Sequence, residues 1–205
     1  MHKFIVLLFF IANGLFAQIQ MSPEEAALLR NKVKAKAATT KTITSDFVQY
    51  KHLDFLSNDI KSNGKLVFRA PDKVKWEYIS PFEYSILFKD DKLFIDDGGN
   101  KSNIDLGSNK IFKQLSQLIA ASISGDMFIA EEFNMEYFKH NDRYLVYFSP
   151  KDVQFAKFIK AFHITFSKSG EVMEVKMIEP SDDYTQIVFS NRIENQSITD
   201  ETFNH

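Results

Sequence analysis

From Phe47 onward, apolar residues recur at every second position in a series of short runs, and each run ends at a turn signal. The runs are Phe47, Leu66/Phe68, Val74/Trp76/Tyr78, Ile86/Phe88, Leu93/Ile95, Phe133/Met135/Tyr137, Tyr144/Val146/Phe148, Phe162/Ile164/Phe166, Met173/Val175/Met177 and Thr185/Ile187/Phe189. Between them stand Ser62-Asn63-Gly64, Asp90-Asp91, Gly98-Gly99-Asn100, Asn141-Asp142, Lys168-Ser169-Gly170 and Ser181-Asp182-Asp183. A period of two puts alternate side chains on one face of a strand, and short spacers of Gly, Asn, Asp and Ser join such strands as hairpins. Ten or so strands linked this way predict a single antiparallel sheet, strongly curled or nearly closed. Its apolar face has to be covered by something.

Two segments depart from that period. Ser22-Pro23-Glu24-Glu25 predicts a helix start, with Ser as N-cap, Pro at the first helical position and Glu25 completing a capping box. Ala26, Leu29, Val33 and Ala37 then share one helical face, and Thr39, Thr40 and Thr42 end it. Between Asn109 and Ile123 the residues Ile111, Phe112, Leu115, Leu118, Ile119 and Ile123 form a second apolar stripe at helical spacing, which Gly125 and Asp126 stop. A short piece from Asp152 to Phe158 reads as one helical turn or an irregular loop. Two helices fill a curled ten-strand sheet poorly. Either the sheet closes on packed side chains, or a cavity remains beneath the helices.

The N-terminus reads as an export signal. Met1, His2 and Lys3 precede an apolar run from Phe4 to Ala12, and Leu15, Phe16 and Ala17 precede Gln18. The run is far shorter than the ~20 residues that span a bilayer, so residues 1–17 are expected to be cleaved, leaving 18–205 as a single exported domain. Gln18 is not a Cys, so no lipid anchor of the bacterial lipoprotein kind is expected. The signal removes four of the 21 phenylalanines, and 17 remain. What this Phe covers is the central question.

Catalytic signals are weak. The chain has no cysteine, which excludes thiolate nucleophiles, disulfides and Cys-liganded metals. His2, His52, His140, His163 and His205 form no pair at metal-ligand spacing, and no nucleophile elbow, phosphate loop or dinucleotide fingerprint occurs. His163 stands out of phase in its strand, where a solvent-facing or hydrogen-bonded role is expected. Asp90/Asp91, Asp96/Asp97, Glu131/Glu132 and Asp182/Asp183 fall at turns or strand ends, where solvation accounts for them, and nothing selects a pair for glycoside hydrolysis. No catalytic residue, metal or cofactor is therefore expected. A net charge of −2 lacks the basic footprint of nucleic-acid binding. A sugar site would favour Trp and Tyr, whereas this chain has one Trp and an excess of Phe, which carries no polar handle. A Phe-rich concave face suits an acyl chain better. An overpacked hydrophobic core remains the alternative on composition alone.

Three pieces carry a family resemblance: Phe47-x-Gln49 followed by Gly64-Lys65-Leu66-Val67-Phe68; Pro71-Asp72-Lys73-Val74-Lys75-Trp76-Glu77-Tyr78 with Pro81 beyond; and Asp183-x-Thr185-x-Ile187-x-Phe189-x-Asn191 with a terminal Phe203. In that order, from about Ser22 to Phe203, the chain resembles the periplasmic lipoprotein carrier family, LolA. The resemblance implies a mainly β fold with α elements: a curled antiparallel sheet forming an incomplete, half-open β-barrel, with an N-terminal helix and a lid helix over a hydrophobic cavity. It implies a lipid-binding cavity including Phe47, Leu66, Phe68, Val74, Trp76, Tyr78, Ile86 and Phe88, and a lid of Ile111, Phe112, Leu115, Leu118 and Ile119.

It further implies a monomeric carrier of acylated lipoproteins in the periplasm. The partners would be an inner-membrane ABC release complex and an outer-membrane acceptor. The chain departs from the family at Ala70, where an arginine that ties sheet to lid usually precedes the Pro. Arg69 is one residue out of phase and points to the other face unless a bulge intervenes. The other readings are a binding module for another apolar ligand, such as a glycolipid, pigment or fatty acid, and a structural envelope domain with a filled core.

Overall fold

The computed structural model describes residues 18–90, 92–105, 125 and 127–205. A two-residue strand β1 (Ile19–Gln20) and a helix α1 (Pro23–Thr39) precede β2 (Thr42–His52), β3 (Ile60–Arg69), β4 (Lys73–Ser80), β5 (Tyr84–Lys89), β6 (Lys92–Asp97) and β7 (Asn100–Asp105). After the undescribed stretch come β8 (Phe133–His140), β9 (Arg143–Pro150), β10 (Ala161–Ser167), β11 (Val172–Ile178) and β12 (Tyr184–Glu194). All belong to one antiparallel sheet in the order β1-β8-β9-β10-β11-β12-β2-β3-β4-β5-β6-β7. The sheet does not close: β1 and β7 are its two edges.

The register places the in-phase residues of β2–β6 and β8–β12 on one face, with Val172 in place of the expected Met173 where a register shift in the β10–β11 pairing sets it opposite Phe166. Phe88, Val74, Phe68 and Ile43 are successive cross-strand partners, as are Ile86, Trp76, Leu66 and Ser45. Phe189, Phe47, Gly64 and Tyr78 form another such row, and Ile187, Val175, Ile164, Val146 and Tyr137 continue the face to the far side. Thus the period-two pattern becomes a continuous apolar surface across the sheet.

α1 begins as its capping residues dictate. Glu25 N–H donates to Ser22 Oγ at 3.2 Å, and Ser22 N–H donates back to the Glu25 carboxylate at 2.9 Å. These satisfy two of the amides that a helix start leaves without partners. Its buried face, Ala26, Leu29 and Val33, packs with Phe133, Tyr137, Val146, Phe148, Phe162, Ile164 and Phe166 on β8–β10. Two glycines allow close approach to this helix. A Cβ on Gly170 would lie 3.2 Å from the Val33 backbone nitrogen, and one on Gly125 would lie 2.9 Å from Ala37 Cβ. Both have left-handed φ, +88° and +76°, which glycine adopts without penalty.

The core is divided. One buried cluster lies under α1; a second, Ile43, Leu66, Phe68 and Val74, lies on β2–β4 with Trp76, Phe88 and Phe189 against it. On the opposite, outer face, a short turn of helix at Asp200–Phe203 buries Phe203. Arg69 holds that segment, donating to the Ile198 carbonyl at 3.1 Å and to the Asp200 carboxylate, with its guanidinium 4.8 Å from the Phe203 ring centre.

Several expectations change. Ser62-Asn63-Gly64 is not a turn but lies inside β3; the connection from β2 runs through residues 53–59. Two strands, β1 and β7, escape the apolar pattern: both are sheet edges, and their residues are exposed except Ile104, which pairs with Leu93. The piece after Asp152 is a single turn at Phe155–Lys157 that buries Phe155. The expected signal, residues 1–17, and the 111–119 stripe lie outside the described residues.

Candidate functional site

Where α1 ends, its C-terminal half stands over the middle of the sheet, and a cavity of about 200 Å³ lies between the two core clusters. Since one water needs about 10–15 Å³ on this measure, the space exceeds an ordinary packing defect. One wall is Ile43, Ser45, Leu66 and Trp76 from β2, β3 and β4. The other is Phe162, Ile164, Val172, Val175, Met177, Thr185, Ile187 and Phe189 from β10, β11 and β12. Val33 and Ala37 of α1, with the C-cap residue Thr40, form the roof.

Charge at this cavity is confined to one group of side chains. Lys36 Nζ is 3.1 Å from Glu171 and 2.7 Å from Glu194, and Arg192 Nε is 2.7 Å from Glu194. Lys36, Glu171 and Arg192 line the cavity beside its apolar walls. Burial pushes the Glu194 and Glu171 carboxyls up, but hydrogen bonds from Lys36 and from Arg192 or Ser169 outweigh it and hold both below the usual carboxylate range. The Lys36 ammonium is correspondingly raised, first by its hydrogen bond to Glu194. These ion pairs tie α1 to β12 and to the β10–β11 turn.

Two hydroxyls on the walls are bonded within the protein. Ser45 Oγ donates to the Ser190 carbonyl at 2.7 Å, and Thr40 Oγ1 to the Lys36 carbonyl at 2.8 Å. Among the described residues, the Trp76 indole Nε1–H is the buried side-chain polar atom with no hydrogen-bond partner.

The expected cavity residues are distributed along this face. Leu66 and Trp76 line the cavity. Phe68 and Val74 are fully buried with Leu66 in the adjoining cluster. Phe47 is buried beneath Trp76 and Tyr78, each with its ring centre 5.1 Å away. Tyr78 donates its hydroxyl to Gln49 at 2.9 Å, and burial pushes its pKa up to about 12, with Tyr84 adding to the rise. Ile86 and Phe88, half-buried, extend the face onto β5 through their pairing with Trp76 and Val74. The five expected lid residues lie outside the described residues.

Most of the second wall was not singled out from the sequence, although Phe162, Ile164, Val175, Met177, Thr185, Ile187 and Phe189 all belong to the in-phase runs. Alternation identifies the face; it does not say where along the face a gap is left. His163 is on the outer face, its ring stacked on Tyr147 at 3.8 Å between centres, and burial followed by the Lys176 charge depresses its pKa. Arg69 likewise points away from the cavity, as its phase requires. No group of three His, Asp or Glu side chains able to hold a metal occurs among the described residues. Nor, among these, is any helix long and apolar enough to cross a membrane.

A family model described as outer membrane lipoprotein carrier protein LolA matches residues 38–205. No curated protein matches the chain. Among solved structures, the complex of MucA and MucB from Pseudomonas aeruginosa superimposes with a TM-score of 0.55 at 10% identity, over 88% of this chain and 61% of the other. A crystal structure of MucB gives 0.53 at 10% identity, over 90% and 64%. This chain therefore spans less than two thirds of those chains. A LolA superfamily protein from Nitrosomonas europaea, NE2245, gives 0.47 at 8% identity, over 88% and 97%. At these identities the likeness is one of fold.

Proposed function

The chain belongs to the outer membrane lipoprotein carrier family, LolA, and on that premise we propose that it is a periplasmic carrier that shelters the acyl chains of lipoproteins. In this reading residues 1–17 direct export, the cavity between α1 and the sheet receives the chains, and the protein moves them from an inner-membrane ABC release complex to an outer-membrane acceptor. Its role is binding, not catalysis. The observation that carries the reading is the cavity itself: two largely apolar walls that leave a gap of about 200 Å³ beneath α1.

Magnitudes constrain how such a carrier works. Burying a methylene is favourable by about 0.8 kcal/mol, so a full acyl chain entering an empty apolar space could gain on the order of 10 kcal/mol. Several chains held at that strength would scarcely leave. A carrier needs an unloaded state that already buries most of its lining, so that cargo displaces protein contacts and the net gain is small. The divided core has this character: Phe68, Val74, Phe162 and Ile164 are already buried around a gap smaller than a full lipid cargo. The stripe Ile111, Phe112, Leu115, Leu118 and Ile119 is proposed as the displaceable cover, a two-state element that cargo biases. Replacing Leu115 or Ile119 with Asp then weakens lipid retention more than folding.

Native mass spectrometry of protein purified from the periplasm tests the reading. Copurified acylated lipoprotein supports it. A lone small lipid indicates instead a module for another apolar ligand, and a protein that neither retains nor takes up lipid is a filled structural domain.

A further inference from the structure

Export with removal of residues 1–17 makes Gln18 the first residue of the working protein, and we propose that this glutamine is a modification site, closed by its own α-amine into a pyroglutamyl lactam. The proposal rests on the export reading above, with the cut after Ala17, and adds a chemical fate for the new terminus. The reaction needs no second molecule. The neutral α-amine attacks the side-chain Cδ, the N–Cδ bond forms, the Cδ–Nε2 bond breaks, and Nε2 leaves as ammonia with one of the amine's two hydrogens. No oxidant, reductant or water is consumed. Closure within one residue has the proximity advantage of an intramolecular reaction, and an α-amine of pKa about 7.7–8.0 is partly neutral near pH 7.

The fold leaves Gln18 open to this reaction. The residue is exposed and stands just before β1, whose register pairs begin at Ile19, so closing the ring costs no strand pairing. The Tyr147 hydroxyl donates to Gln18 Oε1 at 2.9 Å, so the atom it holds is the oxygen that stays and not the nitrogen that must leave.

The residues after the terminus give the lactam a task. Ile19 and Gln20 pair with Lys139 and Phe138, and Met21 N–H donates to the Tyr137 carbonyl at 2.9 Å, so this short stretch covers that part of β8. Among the described residues, β1 is the neighbour of β8 on its outer side. An uncovered strand edge is a template for pairing with other chains. Exopeptidases that grip a free α-amine would remove Gln18, Ile19 and Gln20 first, and Ile19 is 58% exposed to them. A lactam presents no such amine. Closure therefore caps the strand that covers the sheet edge, and it removes the positive charge of the terminus.

The test uses the full chain, exported in a Gram-negative host, released from the periplasm and acidified at once, since acid protonates the α-amine and halts further closure. The intact mass is expected to match residues 18–205 less one ammonia, a loss of about 17 Da. Pyroglutamyl aminopeptidase is expected to release one residue from it. A mass for 18–205 with no ammonia lost overturns the proposal and leaves the export cut standing. A chain that begins at another residue, or that keeps residues 1–17, fails the cut itself and takes the lactam with it. Gln18→Asn retains an amide but would have to close a strained four-membered ring, so it is expected to keep a free α-amine. A general aminopeptidase at neutral pH is expected to release Ile19 and Gln20 from that variant and not from the parent. Equal release from the two would overturn the protective role of the cap.

Discussion

Phe47 and Gly64 are direct cross-strand partners on β2 and β3, and the phenylalanine ring occupies the space a side chain at position 64 would need. A Cβ on Gly64 would lie 2.8 Å from Phe47 Cζ and 1.9 Å from the Glu77 carbonyl oxygen. The glycine is required by packing, not by its backbone angles. Its absent side chain lets Phe47 lie flat on the sheet, where the ring supports Trp76 and Tyr78 together.

Gly64→Ala should therefore be severely destabilising, because the obstruction is partly backbone and cannot rotate away. Overpacking in a core typically costs 1–3 kcal/mol, and this site is expected at or above the top of that range. Urea unfolding followed by the fluorescence of Trp76 measures it. A variant of unchanged midpoint would show that the β3–β4 pairing gives way easily.

Phe203 closes the outer face, 1% exposed under the Arg69 guanidinium. Phe203→Ala should lower stability by about 3–5 kcal/mol, as for other buried aromatics cut to alanine. Arg69→Ala, in contrast, should release the chain after Ile198 while leaving the sheet folded. Limited proteolysis should then trim the C-terminus of the variant much faster than that of the parent, and equal rates would show that the segment is held without Arg69.

The Lys36, Glu171 and Glu194 group should make the docking of α1 depend on pH. Both carboxyls titrate below their usual range, so their contribution is present above the unfolded carboxylate pKa of about 4.3 and is lost as pH falls through the lower folded values. Lys36 is raised, so its contribution is present below the unfolded lysine pKa of about 10.4 and is lost as pH rises through the higher folded value. Lys36→Met is expected to cost about 1 kcal/mol between roughly pH 5 and 10, and the difference from the parent should vanish near pH 2. Urea midpoints across pH measure both, and a difference that persists in acid would assign the effect to packing of the lysine stem.

Filling the cavity should separate binding from folding. Val175→Phe adds volume at the centre of the wall formed by β10–β12. It is expected to hold or raise the thermal midpoint while sharply reducing uptake of an acyl probe. A large fall in stability would mean that the gap is closed to added volume and that the walls already form a tight core.

The strands, their shared apolar face and the capped start of α1 were legible in the sequence because each follows from local spacing. Alternation such as Val74/Trp76/Tyr78 fixes which face a side chain takes, and Ser22-Pro23-Glu24-Glu25 places its own hydrogen-bond partners within one turn. The same local logic misread Ser62-Asn63-Gly64 as a turn, since the need for Gly64 comes from the Glu77 carbonyl and the Phe47 ring, thirteen and seventeen positions away along the chain. It also passed over Asn100–Asp105, because an edge strand needs backbone pairing and no apolar face.

What only the tertiary structure decided is where the apolar face is left unfilled. Trp76 and Leu66 share their period with Phe68 and Val74, yet the first two border a cavity and the others are packed solid. That difference depends on where α1 ends over the sheet and on how strands distant in sequence curve around it. An orphaned indole N–H is likewise a property of all its neighbours together. Local sequence sets the direction in which each side chain points, and the assembled sheet sets what it meets there.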